Sequence, residues 1–332
     1  MPSLSTIKCL VTGAGGFIGS HLAEALVREG ASVTALVRYN AQGAIGNLSH
    51  AAADTVRDMR IVFGNVEDSE FVDGLVRDAD IVFHLAALIG IPYSYAAPRS
   101  YLRTNVEGTL NILEAARRHG TRRLIHTSTS EVYGSAIRTP MDEQHPCRGQ
   151  SPYSASKIGA DRFAESYFRS FNLPVVTIRP FNTFGPRQSA RAFIPSVASQ
   201  ALSDLSSVRV GSLDTVRDMT FVEDTAAGFI AAATAAGVEG EEINLGTGTG
   251  YTMREIALRI LALSGRGENS LQEEEARIRP AASEVNKLIS DNSKARTMLD
   301  WTPRYDLDQG LSLTIDFIRR NSALYSTGHY VV

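Results

Sequence analysis

The sequence predicts an α/β protein built on a doubly wound parallel sheet, followed by a smaller C-terminal lobe of mixed α/β structure. Short apolar runs alternate with segments of helical periodicity through the first half of the chain, which is typical of parallel strands joined by right-handed helical crossovers. A glycine cluster follows the first apolar run. Beyond Arg179 the predicted strands become shorter and the alternation less regular. We therefore divide the chain into a sheet domain, residues 1–180, and a second lobe, residues 181–332.

The elements of the sheet domain follow from their apolar patterns. A short apolar run bounded by polar or glycine-rich sequence is typical of a buried strand, and apolar residues three or four positions apart indicate a helix. The predicted strands are Ile7–Val11, Ala31–Val37, Met59–Phe63, Asp80–His84, Arg123–Thr127 and Pro174–Ile178. The predicted helices are Phe17–Glu29, Glu67–Arg77, Tyr101–His119 and Ser151–Phe171.

The second lobe mixes shorter strands with helices. Its predicted strands are Val208–Val210, Met219–Val222 and Glu242–Leu245. Its predicted helices are Ala192–Leu202, Asp224–Ala236, Thr252–Leu263 and Leu307–Arg319. The charged, glycine-containing segment Gly265–Ala276 is predicted to be an exposed loop, and the lone Trp301 is predicted to be a core residue.

Composition excludes several classes of function. Lys and Arg number 33 against 36 Asp and Glu, a net charge of −3, so we expect no nucleic-acid partner. No apolar run reaches the ~18 residues of a membrane span, and the N-terminus lacks a signal-peptide pattern, so we expect no membrane association and a cytoplasmic location. Two cysteines, Cys9 and Cys147, are too few for a disulfide framework or a zinc site. The histidines to consider as metal ligands are His84, His119, His126 and His145. Their spacing matches no metal-binding pattern, so we predict no bound metal.

The glycine cluster Thr12–Gly19 joins the first predicted strand to the first predicted helix. Gly13 permits a tight turn, Gly16 lets the backbone approach a pyrophosphate, and Gly19 lets the helix pack closely on the sheet. The spacing is G-x-x-G-x-x-G, and glycine turns without ligands also exist. The position between a strand and a helix favours a dinucleotide cofactor.

The end of the second predicted strand favours NADP over NAD. An acidic residue there would hold the ribose hydroxyl of NAD, but the sequence is Val37-Arg38-Tyr39-Asn40. Arg38 can pair with a 2′-phosphate, and it can equally be a solvated surface charge. Asn65, after the third predicted strand, is placed to reach the adenine.

The segment Ser151–Lys157 contains a candidate catalytic pair. Ser151 is a suitable N-cap, and Pro152 suits the first turn of a helix. Tyr153 and Lys157 then lie on one helical face, ~5–6 Å apart at Cβ. A lysine cation beside a phenol favours the phenolate, so we expect Tyr153 to act as a base below its unperturbed pKa of ~10.

These motifs resemble the extended short-chain dehydrogenase/reductase family, in its nucleotide-sugar epimerase/dehydratase branch. The resemblance covers nearly the whole chain, in Thr12–Gly19, Leu85–Ala87, Asn105, Ser128–Gly134, Tyr153 with Lys157, Arg179–Pro186, Arg217–Asp218 and Arg279–Pro280. It implies a Rossmann domain with tightly bound NAD(P) and a reaction that begins when Tyr153 takes the proton of a sugar 4-hydroxyl. The further cofactor contacts that it implies are Phe17, Ile18, Val66, Leu85, Ala86, Ala87, Asn105, Thr127 and Pro180.

The reaction that follows depends on Thr127–Gly134. The 4-epimerases resemble this segment but have a small neutral residue at Glu131, where a carboxylate could remove the C5 proton and then assist departure of the C6 hydroxyl. Thr129 is expected to hydrogen-bond near O4. Many 4,6-dehydratases have an Asp where this chain has Ser130, whereas GDP-mannose 4,6-dehydratases and UDP-glucuronate decarboxylases share its Thr-Ser-Glu. Dehydration by Thr129, Ser130 and Glu131 is the expected reaction, with decarboxylation, 4-epimerisation and a non-catalytic NAD(P)-binding role as alternatives.

Other segments resemble enzymes that make UDP-4-keto-6-deoxy sugars from UDP-N-acetylglucosamine. These segments are Ala86–Tyr95, Gln150–Asp161, Arg179–Arg191 and Ser283–Lys294. Arginine forks can neutralise a diphosphate, although each arginine could equally form a surface salt bridge. The substrate contacts that the resemblance implies are Ser94, Asn182, Arg187, Arg217 and Arg279.

The family resemblance also implies a homodimer. Its interface is expected on the helices around Tyr101–His119 and Ser151–Phe171. The compatible apolar residues, which would serve the core of a monomer equally well, are Leu110, Leu113, Phe163, Tyr167 and Phe168.

Overall fold

The predicted parallel sheet is present and has seven strands. The computed structural model describes residues 4–274 and 285–325. The strands in chain order are β1 (Lys8–Thr12), β2 (Ser32–Arg38), β3 (Met59–Gly64), β4 (Ile81–His84), β5 (Arg123–Thr127), β6 (Val175–Pro180), β7 (Asn182–Phe184), β8 (Val208–Val210), β9 (Val216–Phe221), β10 (Glu242–Leu245), β11 (Gly250–Thr252), β12 (Leu271–Glu273) and β13 (Lys287–Leu288). The large sheet has the order β10-β6-β5-β4-β1-β2-β3, and every neighbouring pair is parallel.

Helices cover both faces of this sheet, as the alternating pattern predicts. They are α1 (Phe17–Arg28), α2 (Ala53–Arg57), α3 (Ser69–Val76), α4 (Ile91–Ala96), α5 (Pro98–Tyr101), α6 (Gly108–His119), α7 (Pro152–Phe171), α8 (Phe193–Ala201), α9 (Val222–Thr234), α10 (Met253–Leu263), α11 (Ser293–Leu299) and α12 (Leu307–Arg320). Adjacent residues of β1 point to opposite faces, since Val11 packs with α1 and α9 whereas Leu10 packs with α3, α6 and α7. The central strands are therefore buried on both sides.

The strand β10 lies in the large sheet, although the sequence placed it in the second lobe. It pairs with β6, and its residues Ile243 and Leu245 are fully buried under α9 and α11. Residues 222–245 therefore return to the sheet domain after the chain has entered the second lobe. The apolar pattern identifies this strand correctly, but it carries no information about which sheet the strand joins.

The second lobe is built around β9. This strand pairs with β7, β11 and β13, and the apolar side chains of α8, α10 and α12 form the adjoining core. A separate parallel pair joins β8 to β12. The expectation that Gly265–Ala276 is wholly an exposed loop is therefore wrong, because Leu271 pairs with the buried Val208. Residues 275–276 lie outside the described residues.

A wide helical turn interrupts the predicted helix Tyr101–His119. Leu102–Glu107 adopts a π-helix between α5 and α6, and it includes the fully buried Asn105. Such turns often occur at functional sites because they redirect one side chain without ending the helix. Within the described ranges, no helix is long and apolar enough to cross a membrane.

The prediction that Trp301 is a core residue is confirmed. It follows α11, is 4% exposed, and packs in the core between the large sheet and α9. Its indole N–H donates a hydrogen bond of 2.9 Å to the carbonyl oxygen of Asp224 at the start of α9. Trp301 therefore anchors the segment after α11 to the sheet domain.

Replacing this tryptophan should cost more than the loss of its hydrogen bond alone. We expect Trp301→Ala to lower the free energy of unfolding by about 3–5 kcal/mol, and Trp301→Phe by about 1–3 kcal/mol because the Asp224 carbonyl loses its donor. Chemical denaturation measures both, and Leu324→Ala, at a side chain that is 52% exposed, is the control. A Trp301→Ala protein as stable as the control would contradict this account.

Candidate active site

The candidate residues meet at the carboxyl ends of the central strands. The glycine turn follows β1, Leu85–Ala87 follows β4, and Ser128–Tyr133 follows β5. Because all these strands are parallel, the loops after them open at the same edge of the sheet, which is where ligands bind in doubly wound folds. The topology thus brings together segments that are far apart in sequence.

The glycine turn packs so closely against the protein backbone that two of its positions have no room for a side chain. A Cβ atom added at Gly13 would lie 2.8 Å from the Ala86 nitrogen, and one at Gly19 would lie 2.2 Å from the Gly13 carbonyl oxygen. Gly16 is the N-cap of α1, which has no side-chain cap and no acidic residue in its first turn. The residues present therefore fit the pyrophosphate of a dinucleotide.

A hydrogen-bonded path runs from this turn into the core. The Thr12 hydroxyl accepts hydrogen bonds of 3.1 Å from the backbone N–H groups of Leu85 and Ala86. Thr109 donates its hydroxyl proton to the Asn105 carbonyl, so His84 must donate to Thr109 through Nε2 and accept from Thr12 through Nδ1. Burial lowers the pKa of His84 well below its usual value, which keeps this ring neutral.

Asn105 positions the loop after β4. Its amide oxygen accepts from the Leu88 N–H at 2.8 Å, and its amide nitrogen donates to the Leu88 carbonyl and to the Ser156 hydroxyl. Ser156 in turn donates to the Tyr153 carbonyl. The resemblance implied that Asn105 contacts the cofactor, but its amide groups are used by Leu88 and Ser156. In this structure the side chain ties the loop to α7.

Tyr153 and Lys157 lie on the buried face of α7, as predicted. The predicted N-cap is confirmed, since Ser151 caps the helix and Pro152 occupies its first position. Tyr153 is 7% exposed, and the edge of its ring meets Tyr101 with centroids 6.3 Å apart. The Lys157 ammonium donates to the Thr127 carbonyl at 2.5 Å.

The protein groups do not depress the pKa of Tyr153, which corrects the sequence expectation. Burial raises the pKa of this phenol, a hydrogen bond with Thr129 lowers it, and the charge of Glu131 raises it. Lys157 is directed to Thr127 instead, and burial lowers its pKa to about 8 although Asp161 acts to raise it. The phenolate therefore needs positive charge beyond what the described side chains place beside it.

Three expected catalytic residues lie on one short segment. Thr129 is the N-cap of a 3₁₀ turn, Ser130–Tyr133, and its hydroxyl accepts from the Glu131 N–H at 3.2 Å. Because Thr129 and Glu131 both affect the pKa of Tyr153, the segment lies near the phenol. Glu131 is partly exposed, whereas Ser130 is 3% exposed. The structure thus brings a carboxylate, a hydroxyl and a phenol to one place.

The sequence analysis did not identify Asp161, which holds these elements together. Asp161 is 1% exposed and accepts hydrogen bonds from the Ser128 hydroxyl (2.7 Å), His126 Nε2 (3.0 Å) and Arg179 Nη2 (3.1 Å). Burial acts to raise the pKa of Asp161, but His126, Arg179 and Ser128 outweigh it and the pKa is lowered. The signal was available, because Asp161 follows Lys157 by four residues and a carboxylate on a buried helical face requires partners.

Among the expected substrate residues, Asn182 and Arg187 each have one buried polar atom without a hydrogen-bond partner, the side-chain oxygen of Asn182 and Nε of Arg187. The neighbouring Thr183 hydroxyl is bonded to that of Thr225. Arg217, on β9, is buried and donates to the Val216 carbonyl. Ser94 is fully buried and donates to the Ile91 carbonyl within α4. The prediction for Arg279 lies outside the described residues.

Arg187 contacts a carboxylate of the protein, which departs from the expected diphosphate contact. Its Nη2 atom donates to Glu24 Oε2 at 2.8 Å, and both side chains are less than a tenth exposed. Glu24 thus gives the buried guanidinium a counter-charge within the protein. Arg187 is therefore not among the residues that we propose as contacts of the substrate diphosphate.

The other expected cofactor residues differ in their surroundings. Arg38, the last residue of β2, and Asn65, the residue after β3, are both exposed. Val66 is buried, and its carbonyl accepts from the Asn111 amide.

The hydroxyl of Thr127 is buried without a partner, which fits a ligand contact. Phe17 and Ile18, in the first turn of α1, pack against the core of the second lobe, and Pro180 ends β6.

The dinucleotide-type turn and the Tyr153–Lys157 pair on α7 define an extended short-chain dehydrogenase/reductase. A family model described as GDP-mannose 4,6 dehydratase matches residues 10–314. The chain belongs to this family, and it is an NAD(P)-dependent enzyme of the nucleotide-sugar dehydratase and epimerase class. In the residues that the structure describes, no group of three or more His, Cys, Asp or Glu could hold a metal ion.

Individual relatives are similar over almost their full length. A dTDP-glucose 4,6-dehydratase from Streptomyces antibioticus is 36% identical over 96% of this chain and 94% of the relative. A UDP-glucose 4-epimerase from Mycolicibacterium smegmatis is 32% identical over 95% and 100% of the two chains. The crystal structure of DesIV, a dTDP-glucose 4,6-dehydratase from Streptomyces venezuelae with NAD and TYD bound, gives a TM-score of 0.87 at 29% identity and covers 96% of this chain and 99% of that chain.

Removing the Asp161 charge should destabilise the protein. Because Asp161→Asn leaves Arg179 without its fully buried counter-charge, we expect a loss of about 3–5 kcal/mol in unfolding free energy at pH 7. A carboxyl whose folded pKa is lowered stabilises above its unfolded pKa of ~4, so the full effect is present at neutral pH. The measurement is chemical denaturation.

The matched control for this experiment is Glu165→Gln, one turn further along α7. Glu165 pairs with Arg162 and Arg169, whose side chains are 49% and 74% exposed. Exposed pairs of this kind contribute at most about 1 kcal/mol. Equal losses for the two variants would show that the Asp161 cluster is not a stabilising centre.

Proposed function

We propose that this enzyme is a nucleotide-sugar 4,6-dehydratase. It oxidises its substrate at C4, eliminates water across C5 and C6, and returns the hydride to C6 to give a 4-keto-6-deoxy sugar. The observation that carries the proposal is that Glu131 and Thr129 lie near the Tyr153 phenol at the ligand edge of the sheet. A 4-epimerase needs the phenol alone, whereas elimination needs an additional acid/base group at this position.

Tyr153 receives the proton of the sugar 4-hydroxyl in the first step. Its phenol is buried on α7 beside Thr129, so the acceptor oxygen is oriented before the substrate binds. Lys157 lies on the same helical face with its ammonium held by the Thr127 carbonyl, and its charge alone does not offset the burial of the phenol. Thr129 would then hydrogen-bond near O4.

Glu131 performs the elimination. Once C4 is a ketone, the C5 proton becomes acidic and the Glu131 carboxylate can remove it. The protonated carboxyl then gives this proton to the leaving C6 hydroxyl, so that one water departs and the carboxylate is regenerated. Ser130 stands where many dehydratases have a second acid and is buried, so a single carboxylate serves both half-steps.

The glycine turn and the Thr127 hydroxyl are the groups that would hold NAD(P). When bound, NAD(P)⁺ would take the C4 hydride and, once reduced, return it to C6, while C5 takes up one proton that balances the one Tyr153 received from the 4-hydroxyl. The related structure from Streptomyces venezuelae has NAD bound. The exposed Arg38, at the end of β2 where NAD enzymes place an acid, supports a preference for NADP in this chain.

The substrate that we propose is UDP-N-acetylglucosamine, with Asn182 and Arg217 as contacts in the described residues. The segments Ala86–Tyr95 and Arg179–Arg191 support this choice. The related dTDP-glucose 4,6-dehydratases make dTDP-glucose the first competitor to test. A UDP-sugar 4-epimerase is a second candidate, because an epimerase is also among the relatives, and UDP-glucuronate decarboxylation is the third.

A homodimer through α6 and α7 is part of this proposal. Of the apolar residues considered for the interface, Leu113 and Tyr167 are buried in the monomer core and Phe163 is 38% exposed. Leu102, in the π-helical turn before α6, and Phe171, the last residue of α7, are 53% and 52% exposed. The exposed members are the ones that support an interface.

The Glu131→Gln variant should separate oxidation from elimination. We expect the rate of 4-keto-6-deoxy product formation to fall about 10²–10⁴-fold, because the amide cannot accept the C5 proton, while reduced cofactor still forms in a single turnover. Tyr153→Phe should abolish both signals. Mass spectrometry of products from UDP-N-acetylglucosamine, dTDP-glucose, GDP-mannose, UDP-glucose and UDP-glucuronate measures the outcome. Release of CO₂, or a 4-epimer without loss of water, would overturn the dehydratase assignment.

Activity should decline on the alkaline side as Lys157 loses its proton. The pKa of Lys157 is lowered by burial to about 8, so the cation is present below this pH and is lost above it. Since Asp161 acts to raise this pKa, Asp161→Asn should move the decline to lower pH, and Glu165→Gln should leave it in place. A pH–rate profile of turnover measures the shift, and an unmoved or raised midpoint in Asp161→Asn would contradict it.

A further inference from the structure

A buried ion pair links the segment after β7 to α1, the helix that follows the glycine turn. Arg187, three residues after β7, donates through Nη2 to Glu24 Oε2 on α1 at 2.8 Å. The Arg187 side chain is 8% exposed and that of Glu24 is 6% exposed. The other Glu24 oxygen accepts from Arg28, whose side chain is 62% exposed. Glu24 is therefore committed to two cations, and only the bond to Arg187 crosses to another part of the chain.

The backbone around Arg187 is bound to the same region. The Arg187 carbonyl accepts from the Asn47 amide at 3.1 Å, while the Asn47 N–H donates to the Gly15 carbonyl in the glycine turn at 2.9 Å. His21, on α1, bonds the Pro186 carbonyl at 3.0 Å. One asparagine thus joins Arg187 directly to the turn that would hold the pyrophosphate.

The segment is held in a conformation that such contacts must maintain. Arg187 has a φ of 70°, in the left-handed region that a non-glycine residue adopts at an energetic cost. Its Nη2 atom also donates to the His50 carbonyl at 3.0 Å. The strand β7, with the unpartnered oxygen of Asn182, lies immediately before this fixed point.

We propose that Glu24 and Arg187 are a positioning pair that fixes β7 relative to the glycine turn, so that loss of either side chain loosens the dinucleotide half of the site as well as the sugar-nucleotide half. The proposal rests on the proposed function only for the identity of the substrate. Neither side chain contacts a ligand directly; each acts through the segments that it holds. The arginine acts by pairing with the protein, where the resemblance implied pairing with a diphosphate.

Dinucleotide binding tests the pair without any catalysis. Titration calorimetry with NAD⁺ and with NADP⁺ should show that Glu24→Gln and Arg187→Met each weaken binding about three- to thirtyfold. The double variant should bind no more weakly than the weaker single variant, because each substitution breaks the same contact. Arg187→Lys, which keeps the charge but loses the planar fork, should fall between wild type and Arg187→Met.

Arg28→Met is the matched control. It removes the exposed partner of Glu24 and leaves the pair with Arg187 intact, so dinucleotide affinity should stay at the wild-type value. Thermal denaturation of every variant identifies a general loss of folding. Variants that melt earlier but bind NAD⁺ and NADP⁺ as the wild type does would overturn the proposal and leave a purely structural pair.

Titration with UDP and dTDP tests the alternative in which Arg187 contacts a diphosphate directly. If Arg187 were a direct diphosphate ligand, Arg187→Met would weaken the nucleoside diphosphate alone and Glu24→Gln would have no such effect, which also overturns the proposal. Equal effects of the two variants on dinucleotide binding support it. Failure of the proposed function has a separate signature, because the wild type would then give no 4-keto product while dinucleotide binding still responded to both substitutions.

Discussion

The arrangement of the proposed catalytic residues depends on one buried carboxylate. Asp161 lies on α7, but the groups that it binds lie on β5, on the residue after β5, and on β6. Ser128 directly precedes Thr129, while Tyr153 and Lys157 precede Asp161 on its own helix. The carboxylate therefore fixes the segment that carries the acid/base group against the helix that carries the phenol. A buried charge is costly to keep, and here its three donors compensate for that cost.

The same network connects the helices and strands on which the site is built. Arg179, fully buried under the sheet edge, binds Asp161 and also donates to Glu242 on β10 and to the Tyr133 hydroxyl. Because β10 returns to the sheet from the second lobe, this one guanidinium spans α7, β6 and β10. The path through His84 and Asn105 performs a similar task for the glycine turn. The proposed catalytic groups, held in this way, need little reorganisation when ligands bind.

Local signals in the sequence predicted most of the fold, and long-range pairing accounts for the rest. The bounds of β5, β8 and β10, the cap of α7 and the burial of Trp301 follow from apolar runs and capping residues that lie close together in sequence. The sheet that β10 joins and the pairing of β12 with β8 depend on residues far apart in sequence. Arg187 illustrates the same limit at the site, because its motif indicates a ligand whereas its partner Glu24 lies 163 positions away.

The position of Asp161 follows from the electrostatic conditions at Lys157. Lys157, one helical turn from the proposed catalytic phenol of Tyr153, is shielded from water. The same shielding disfavours the ammonium and lowers its pKa to about 8, so a deeper burial would discharge it near neutral pH. The charge of Asp161 acts in the opposite direction, and its own low pKa keeps it ionised throughout this range. An uncharged residue at position 161 would leave Lys157 with the desolvation of the site and without the nearby charge that compensates for it.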